Sequence, residues 1–586
     1  MPRTSGSLVR LLSTLLLVVP LAKAWVELDE NLIPAIPVPL PVLTLGPPGE
    51  FPPYLLDNII GDIAPGAKLE KNETVGSGLY AYQGDRLVAS VDPETGEVQV
   101  FPNLADIVPT SQGIDPEEAI YSLDLGSSTF PTDDTFVTEV VVGASLVGAA
   151  VADADLSTRA TDSSNVTTVE PETYLTHGSY ERRIDAGGVS YPVCGPGSQA
   201  NFGVDADGRV HSLSYLWRTA SLSGSNITAS ARPVVASSIK SQLEPIGLEA
   251  GWIRVTTVDV CFYDSGAGFI QPVYRFVGTT HSNSTATASE PVKVSGYVPI
   301  GSGSPEVIPS AYVTSTDAPP TDGAAPTKRS VLDYFNARSL RPRAPLPEIT
   351  VGRYVVRNDA RPFLQSAINT WKNLRGSKLV NFVNSQYYWG NDNMYISRKD
   401  RYVNSVNVAY TEGHGNWHLF TTEENCCDVV RMENVPDDGY GPAADGSLAY
   451  WMIHACEPIP TPLDYELAGD ETPTQSALAP WRHIFRGGLH AVLSYRTQMY
   501  IQDTVPERSA TLMAQGVPVI SAWLKAANTD SIYRPRTTYA SGHYSNDNPF
   551  GRAAVVFQCG HESDRIWQLG NAGQGRCLRM IWYNNA

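Results

Sequence analysis

The sequence predicts an α/β C-terminal domain, its mostly parallel sheet covered by helices on both faces, preceded by an acidic α+β N-terminal region. Three observations predict it. Beyond residue 350, short apolar runs alternate with stretches of helical spacing, the pattern of buried parallel strands joined by crossover helices. Before residue 300, alternating strands and tight turns surround two helical stretches. Between them, residues 300–349 are poor in large apolar side chains and rich in Pro, Ser, Gly and Thr, a linker that cannot bury enough surface to fold. A chain of 586 residues also exceeds one ordinary core.

From the start, residues 1–24 have a secretory leader's form: Arg3 and Arg10, an apolar centre Leu11 to Leu21, then Ala22-Lys23-Ala24. No later run suits a membrane span. The mature chain is therefore expected to be soluble and extracellular. The sequons at Asn72, Asn165, Asn226 and Asn283 fit that route as glycosylation sites. Residues 25–65 form a Pro/Leu-rich arm, read as extended because proline fixes φ. Within the N-terminal region, residues 66–299, "RLVASVDPETGEVQVF" reads as a hairpin turning at Asp92 to Gly96. "IDPEEAIYSL" follows as a short helix capped by Asp115. This unit resembles the PepSY or FTP-type modules of secreted propeptides, which implies a prodomain. "NFGVDADGRVHSLSYLW" is a second hairpin, "RPVVASSIKSQLEPIGL" a helix, and "WIRVTTVDVCFYDSGAGFIQPVYRFVG" two strands across a Gly-rich turn. Their order hints at a duplicated α+β unit. Lys328-Arg329 offers the linker to dibasic-cleaving proteases.

Charge divides the chain the same way. Of 42 basic and 61 acidic residues, 19 and 38 lie in residues 1–340, leaving 23 and 23 beyond, so the whole net −19 belongs to the first part. Such a surface disfavours nucleic acid and anionic membranes.

In residues 350–586, "RPFLQSAINTWKNL" is helical, "VNSVNVAY" and "SLAYWMI" are buried strands, and "LHAVLSY" is a third. "ERSATLMAQG" and "PVISAWLKAAN" are helices; "RAAVVFQ" and "LRMIWY" close the chain as strands. Two runs end in reactive side chains: "VNVAYTEGHG", carrying His414, and "LAYWMIHAC", carrying Cys456. If the two strands are parallel neighbours, imidazole and thiol emerge at the same sheet edge, where open sheets gather functional groups. A thiolate there attacks a carbonyl while the imidazole handles protons.

A run ending in His-Gly, followed after some forty residues by one ending in Ala-Cys, resembles the caspase–legumain–gingipain group of cysteine peptidases. "PWRHIFRGGLHAVLSY" with "VPVISAWLKAAN" resembles more closely a caspase-like family of unknown function in bacteria and fungi. The resemblance spans residues 350–586. It implies a caspase-like fold, Cys456 as nucleophile, His414 as general acid, and the amides of Gly415 and Cys456 as oxyanion hole. Glu457-Pro458 follows the cysteine, where characterised members have Glu-Ser-Gly or Arg-Gly. The activity implied is cysteine-dependent hydrolysis or transpeptidation of a peptide or protein substrate, without a cofactor. The alternative is a non-catalytic extracellular binding protein.

A zinc set of His414, His418, His454 and Cys456 is the competing chemistry, but His414 and His418 lie in a Gly-containing loop rather than on one helix face. His483, His490, His543 and His561 show no interpretable spacing. Phosphate loops, dinucleotide fingerprints, His-Glu-x-x-His helices and Gly-x-Ser-x-Gly elbows are missing from the sequence. Seven cysteines in an oxidising compartment leave an odd thiol. Cys194 should pair with Cys261, and Cys426 and Cys427 with Cys559 and Cys577 in either order, which leaves Cys456 outside a disulfide.

Overall fold

The computed structural model describes residues 25–111, 136–154, 166–281, 293–308, 346–356, 361–422, 429–530, 538–540, 543–545, 551–573 and 577–584, save positions 50, 74, 251 and 502. The leader, Asn165, Asn283, the "IDPEEAIYSL" helix, Lys328-Arg329, Cys426 and Cys427 lie outside these residues.

In the N-terminal region the turn chemistry places the hairpins. Arg86–Val91 and Val98–Val100 pair antiparallel across a turn in which Gly96 takes φ +74°. Gln199–Val204 and Val210–Leu216 pair across Gly208 at φ +79°. The longest described hairpin of the region's second half joins Trp252–Asp264 to Phe269–His281, with Lys293–Pro299 alongside. Helix Arg232–Ala250 sets Val235, Ile239, Leu243 and Ile246 at helical spacing on one buried face. The Pro/Leu arm is only partly extended. Leu40–Pro48 is a strand against Arg218–Ile227 and Phe269–His281, but Pro53–Ile63 is a helix. Pro53 sits at its first position, where a missing N–H costs nothing.

The C-terminal part corrects the expected fold class. Glu348–Val355, Asn381–Trp389, Val408–Glu412, Tyr450–His454 and Ala491–Tyr495 pair in parallel, but Ala553–Gln558 and Cys577–Tyr583 return antiparallel. Cys577–Tyr583 does not end the sheet. It pairs with Phe136–Ala154, and the ladder continues antiparallel through Val166–Ala186 into the N-terminal hairpins. The chain is therefore a β-rich assembly of mixed and antiparallel sheets with few helices, and the caspase-like, mostly parallel α/β domain is not what forms. Buried apolar runs report burial on two faces, not strand direction, and the sequence pattern could not see the partner across Cys577–Tyr583.

The longer helices cover one sheet face: Arg361–Arg375, Val505–Gln515 and Val519–Thr529 share a core with Tyr410, Met452, Leu493 and Val555. The opposite face, with Ala409, Trp451, Ile453 and Val556, is roofed mainly by loops, 3-10 turns and two six-residue helices that contribute Tyr395, Phe420, Met432, Tyr440 and Leu478. Alternate residues of each strand enter opposite cores, as the period of two requires.

Polar contacts also join the two parts of the chain. Buried Lys525 Nζ donates to Ser212 Oγ at 3.1 Å and to the Leu213 carbonyl at 2.6 Å. Tyr82 donates to the Gln515 carbonyl, the Leu87 amide to the Gly516 carbonyl, and Arg565 pairs with Asp85.

Candidate active site

The strands carrying the two singled-out residues are parallel neighbours with an offset of 42 positions: Val408 lies opposite Tyr450 and Glu412 opposite His454. His414 and Cys456 each follow two residues beyond the paired ends, at one sheet edge. Gly413 N donates to the His454 carbonyl at 3.2 Å, which continues the register past the strands. Gly415 then approaches the cysteine so closely that a Cβ there would collide with the Cys456 carbonyl oxygen and lie 2.9 Å from Ala455 Cβ. The glycine flanking His414 is required by contact with Cys456 itself. Its fellow Gly413 packs as tightly, an added Cβ falling 2.6 Å from the Thr421 carbonyl oxygen.

Cys456 is 0% exposed and belongs to neither disulfide. Met499 N donates to its Sγ at 3.5 Å. His414 is half-buried and meets the Phe363 ring edge-to-face at 5.7 Å; the same Phe363 meets His454 at 6.2 Å. After the cysteine, Glu457 adopts the left-handed conformation at φ +59°, and the Pro458 carbonyl accepts from His418 N at 3.2 Å.

Directly beneath lies a cluster the sequence reading missed. His454 Nδ1 is 2.5 Å from Glu412 Oε2 and its Nε2 is 2.9 Å from Asp503 Oδ1, all three side chains fully buried. Tyr410, itself 3.0 Å from Ser366 Oγ, donates to Glu412, and Tyr495 donates to Asp503 Oδ2 at 2.8 Å. Burial opposes charge on His454, but the two carboxylates outweigh it and push its pKa up to about 10. Burial is also the main reason the Glu412 carboxyl rises. Glu507, half-buried nearby, is pushed up to about 7, chiefly by loss of water around the carboxylate, despite the hydrogen bond from Asn369. The signal was present: Glu412 and His454 stand at the same 42-residue offset as His414 and Cys456, each ending an apolar run. Asp503, from a loop, gave none.

The structure divides the zinc set among different partners. His454 is engaged by its carboxylates, and His418 Nε2 is 2.9 Å from Tyr465 Oη, its pKa lowered by burial to about 4. His483 Nε2 contacts the Met432 carbonyl. Cys194 and Cys261 form the expected disulfide. Cys559 and Cys577 bond each other, which corrects their expected pairing with Cys426 and Cys427. The adjacent antiparallel strands that carry them bring these two together, with Cys559 N donating to the Cys577 carbonyl at 3.1 Å. Of the sequons, Asn226 is exposed and Asn72 half-buried. Among the described residues no helix is long and apolar enough to cross a membrane.

A family model described as a domain of unknown function (DUF6345) matches residues 367–570, which include both strand ends. No curated protein matches the chain. Among solved structures, an uncharacterized protein from Eubacterium rectale is similar at 8% identity, over 48% of this chain and 89% of that one, with a TM-score of 0.26.

Proposed function

We propose that the chain is a secreted, glycosylated, cysteine-dependent peptidase or transpeptidase acting on a peptide or protein substrate, with Cys456 as nucleophile and His414 as general acid. The observation that carries this reading is the close approach of Gly415 to the Cys456 backbone, which seats the His414 loop against the strand end that bears the thiol. The Cys456 thiol proton passes to His414, Sγ attacks the scissile carbonyl carbon as thiolate, and the carbonyl electrons collect on oxygen near the Gly415 and Cys456 amides. Each such donor is worth about 3 kcal/mol in enzymes where one has been removed. Collapse breaks the C–N bond, and the amine leaves with a proton from His414. Water, or an amine in transpeptidation, then releases the thioester as His414 takes the proton back. The buried, carboxylate-clamped His454 pins the strand ends from which both groups project.

The second reading, a non-catalytic binding protein, is favoured by the complete burial of Cys456 and its contact with Met499 N. A peptide library incubated with purified protein, with and without iodoacetamide, decides between them. Cleavage lost on thiol blockade and in Cys456→Ala, with slower labelling in His414→Ala, supports the peptidase. Absence of cleavage, with Cys456 alkylated only after denaturation, supports the binding protein.

A further inference from the structure

At the opposite end of the same sheet, His490, His561 and Asp564 converge, among the described residues the one group of three or more His, Cys, Asp and Glu whose ligand atoms all lie within 4.8 Å of one another. His490 immediately precedes strand Ala491–Tyr495 and is 2% exposed. His561 and Asp564 come from the loop between Ala553–Gln558 and Cys577–Tyr583, which the Cys559–Cys577 disulfide closes at its base. His561 N donates to the Gln558 carbonyl and Asp564 N to the His561 carbonyl, a tight turn that points both side chains at His490.

The chemistry of the contacts is more specific than proximity. His490 Nε2 meets the Gly570 carbonyl, which can only accept, so Nε2 carries the hydrogen. His490 Nδ1 lies 2.6 Å from Asp564 Oδ2, and His561 Nδ1 lies 2.6 Å from the same oxygen. With neutral rings whose Nδ1 atoms bear lone pairs, three acceptors face one point. Protons on both rings, or one cation shared by all three, must lie between them. A backbone carbonyl holding the far nitrogen of a ligating imidazole is also the usual arrangement around protein-bound metals.

We propose that His490 Nδ1, His561 Nδ1 and an Asp564 carboxylate oxygen bind a divalent d-block cation of the Zn2+ type. Two imidazoles and a carboxylate suit Zn2+ rather than Ca2+ or Mg2+, which take oxygen ligands. Donors about 2.0–2.2 Å from a tetrahedral ion stand about 3.4 Å apart, so Asp564 Oδ2 and the two imidazoles, now at 2.6 Å, must separate by about 0.8 Å as the ion enters. Three protein ligands leave a fourth position for water, and His561, 22% exposed at its side chain, lies on the solvent side. The nearby Glu562 is already held by Arg579 at 2.7 Å and stays outside the set. The metal would join the disulfide-closed loop to the start of strand Ala491–Tyr495. At about 3.3 Å per residue, the site lies roughly 20 Å from Cys456, so it is separate from the thiol chemistry.

The test uses full-length protein stripped with chelator and titrated with Zn2+ by calorimetry, with bound metal counted by mass spectrometry. One Zn2+ per chain with a submicromolar Kd is expected, unchanged in Cys456→Ala and at least 100-fold weaker in Asp564→Asn and in His561→Ala. His561 is partly exposed, so its variant keeps the test open if Asp564→Asn fails to fold. Cobalt-loaded protein should show nitrogen and oxygen ligation without a thiolate charge-transfer band. Absence of stoichiometric uptake, uptake unchanged in folded His561→Ala, or a thiolate band would overturn the assignment.

Discussion

Replacing Glu412 by Gln keeps the shape of the buried cluster and an oxygen facing His454 Nδ1, but removes one of the two charges that hold the imidazolium. In the folded protein the His454 pKa is about 10, against 6.5 for the ordinary side chain. Because the folded value is the higher, the clamp's stabilisation is fully present below pH 6.5 and is lost as pH rises toward 10. A rise from 6.5 to about 10 corresponds to a stabilisation on the order of 5 kcal/mol, given up as pH climbs between those two values. Lys525 opposes this slope. Burial holds its pKa well below 10.5, so its contribution to stability grows with pH until the unfolded lysine deprotonates. Glu507, raised to about 7 and coupled to both Glu412 and His454, lowers stability as pH rises from 4.5 to about 7, so wild type and variant are compared in a Glu507→Gln background. Urea unfolding from pH 6.5 to 9.5 should show wild type ahead by about 3 kcal/mol at pH 7. That lead should shrink once pH exceeds the lowered pKa of His454 in the variant. Nitrogen-15 spectra should keep both ring nitrogens of wild-type His454 protonated at pH 8.5. A neutral His454 at that pH, or a stability difference independent of pH, would refute the account of the cluster.

Gly415→Ala should force the His414 loop off Cys456 and cost about 1–3 kcal/mol, as overpacking does; any thiol-dependent cleavage should fall at least tenfold, while a variant with full activity would remove the contact as the organiser of the site. Cys559→Ser with Cys577→Ser opens a loop whose ends stand 18 positions apart and should lower stability by about 3 kcal/mol, read as a fall in Tm. The same change should weaken Zn2+ uptake while leaving Cys456 labelling unaltered.

The sequence announced most C-terminal elements because burial and period are local. "LHAVLSY", "RAAVVFQ" and "PVISAWLKAAN" all lie where the structure puts two strands and a helix. Sheet membership is not local. Nothing in "CLRMIWY" states that its free edge will take Phe136–Ala154, more than 400 residues earlier, and that pairing carries a sheet already mixed by the antiparallel Ala553–Gln558 on into the N-terminal hairpins. The His414 end was legible because Gly413 and Gly415 flank it, and the Cys456 end because an apolar run stops there. The carboxylate clamp was half-legible, since a Glu and a His at the ends of apolar runs need partners. The convergence of His490 on His561 and Asp564 was hidden: the Cys559–Cys577 bond closes the loop that carries it, whereas the sequence reading paired both cysteines with Cys426 and Cys427.

The hydrogen bonds that Lys525 makes to Ser212 and the Leu213 carbonyl, with the ladder through Cys577–Tyr583, have a bearing on maturation. A cut at Lys328-Arg329 would change connectivity without releasing either fragment. The nicked protein would behave as a split protein whose halves migrate together under native conditions and part only in denaturant. Refolding would become a second-order reaction, slowed by dilution, because the covalent tether no longer supplies an effective concentration. An N-terminal segment woven into the same sheet as the thiol-bearing strands acts less like a removable stopper than like a permanent subunit.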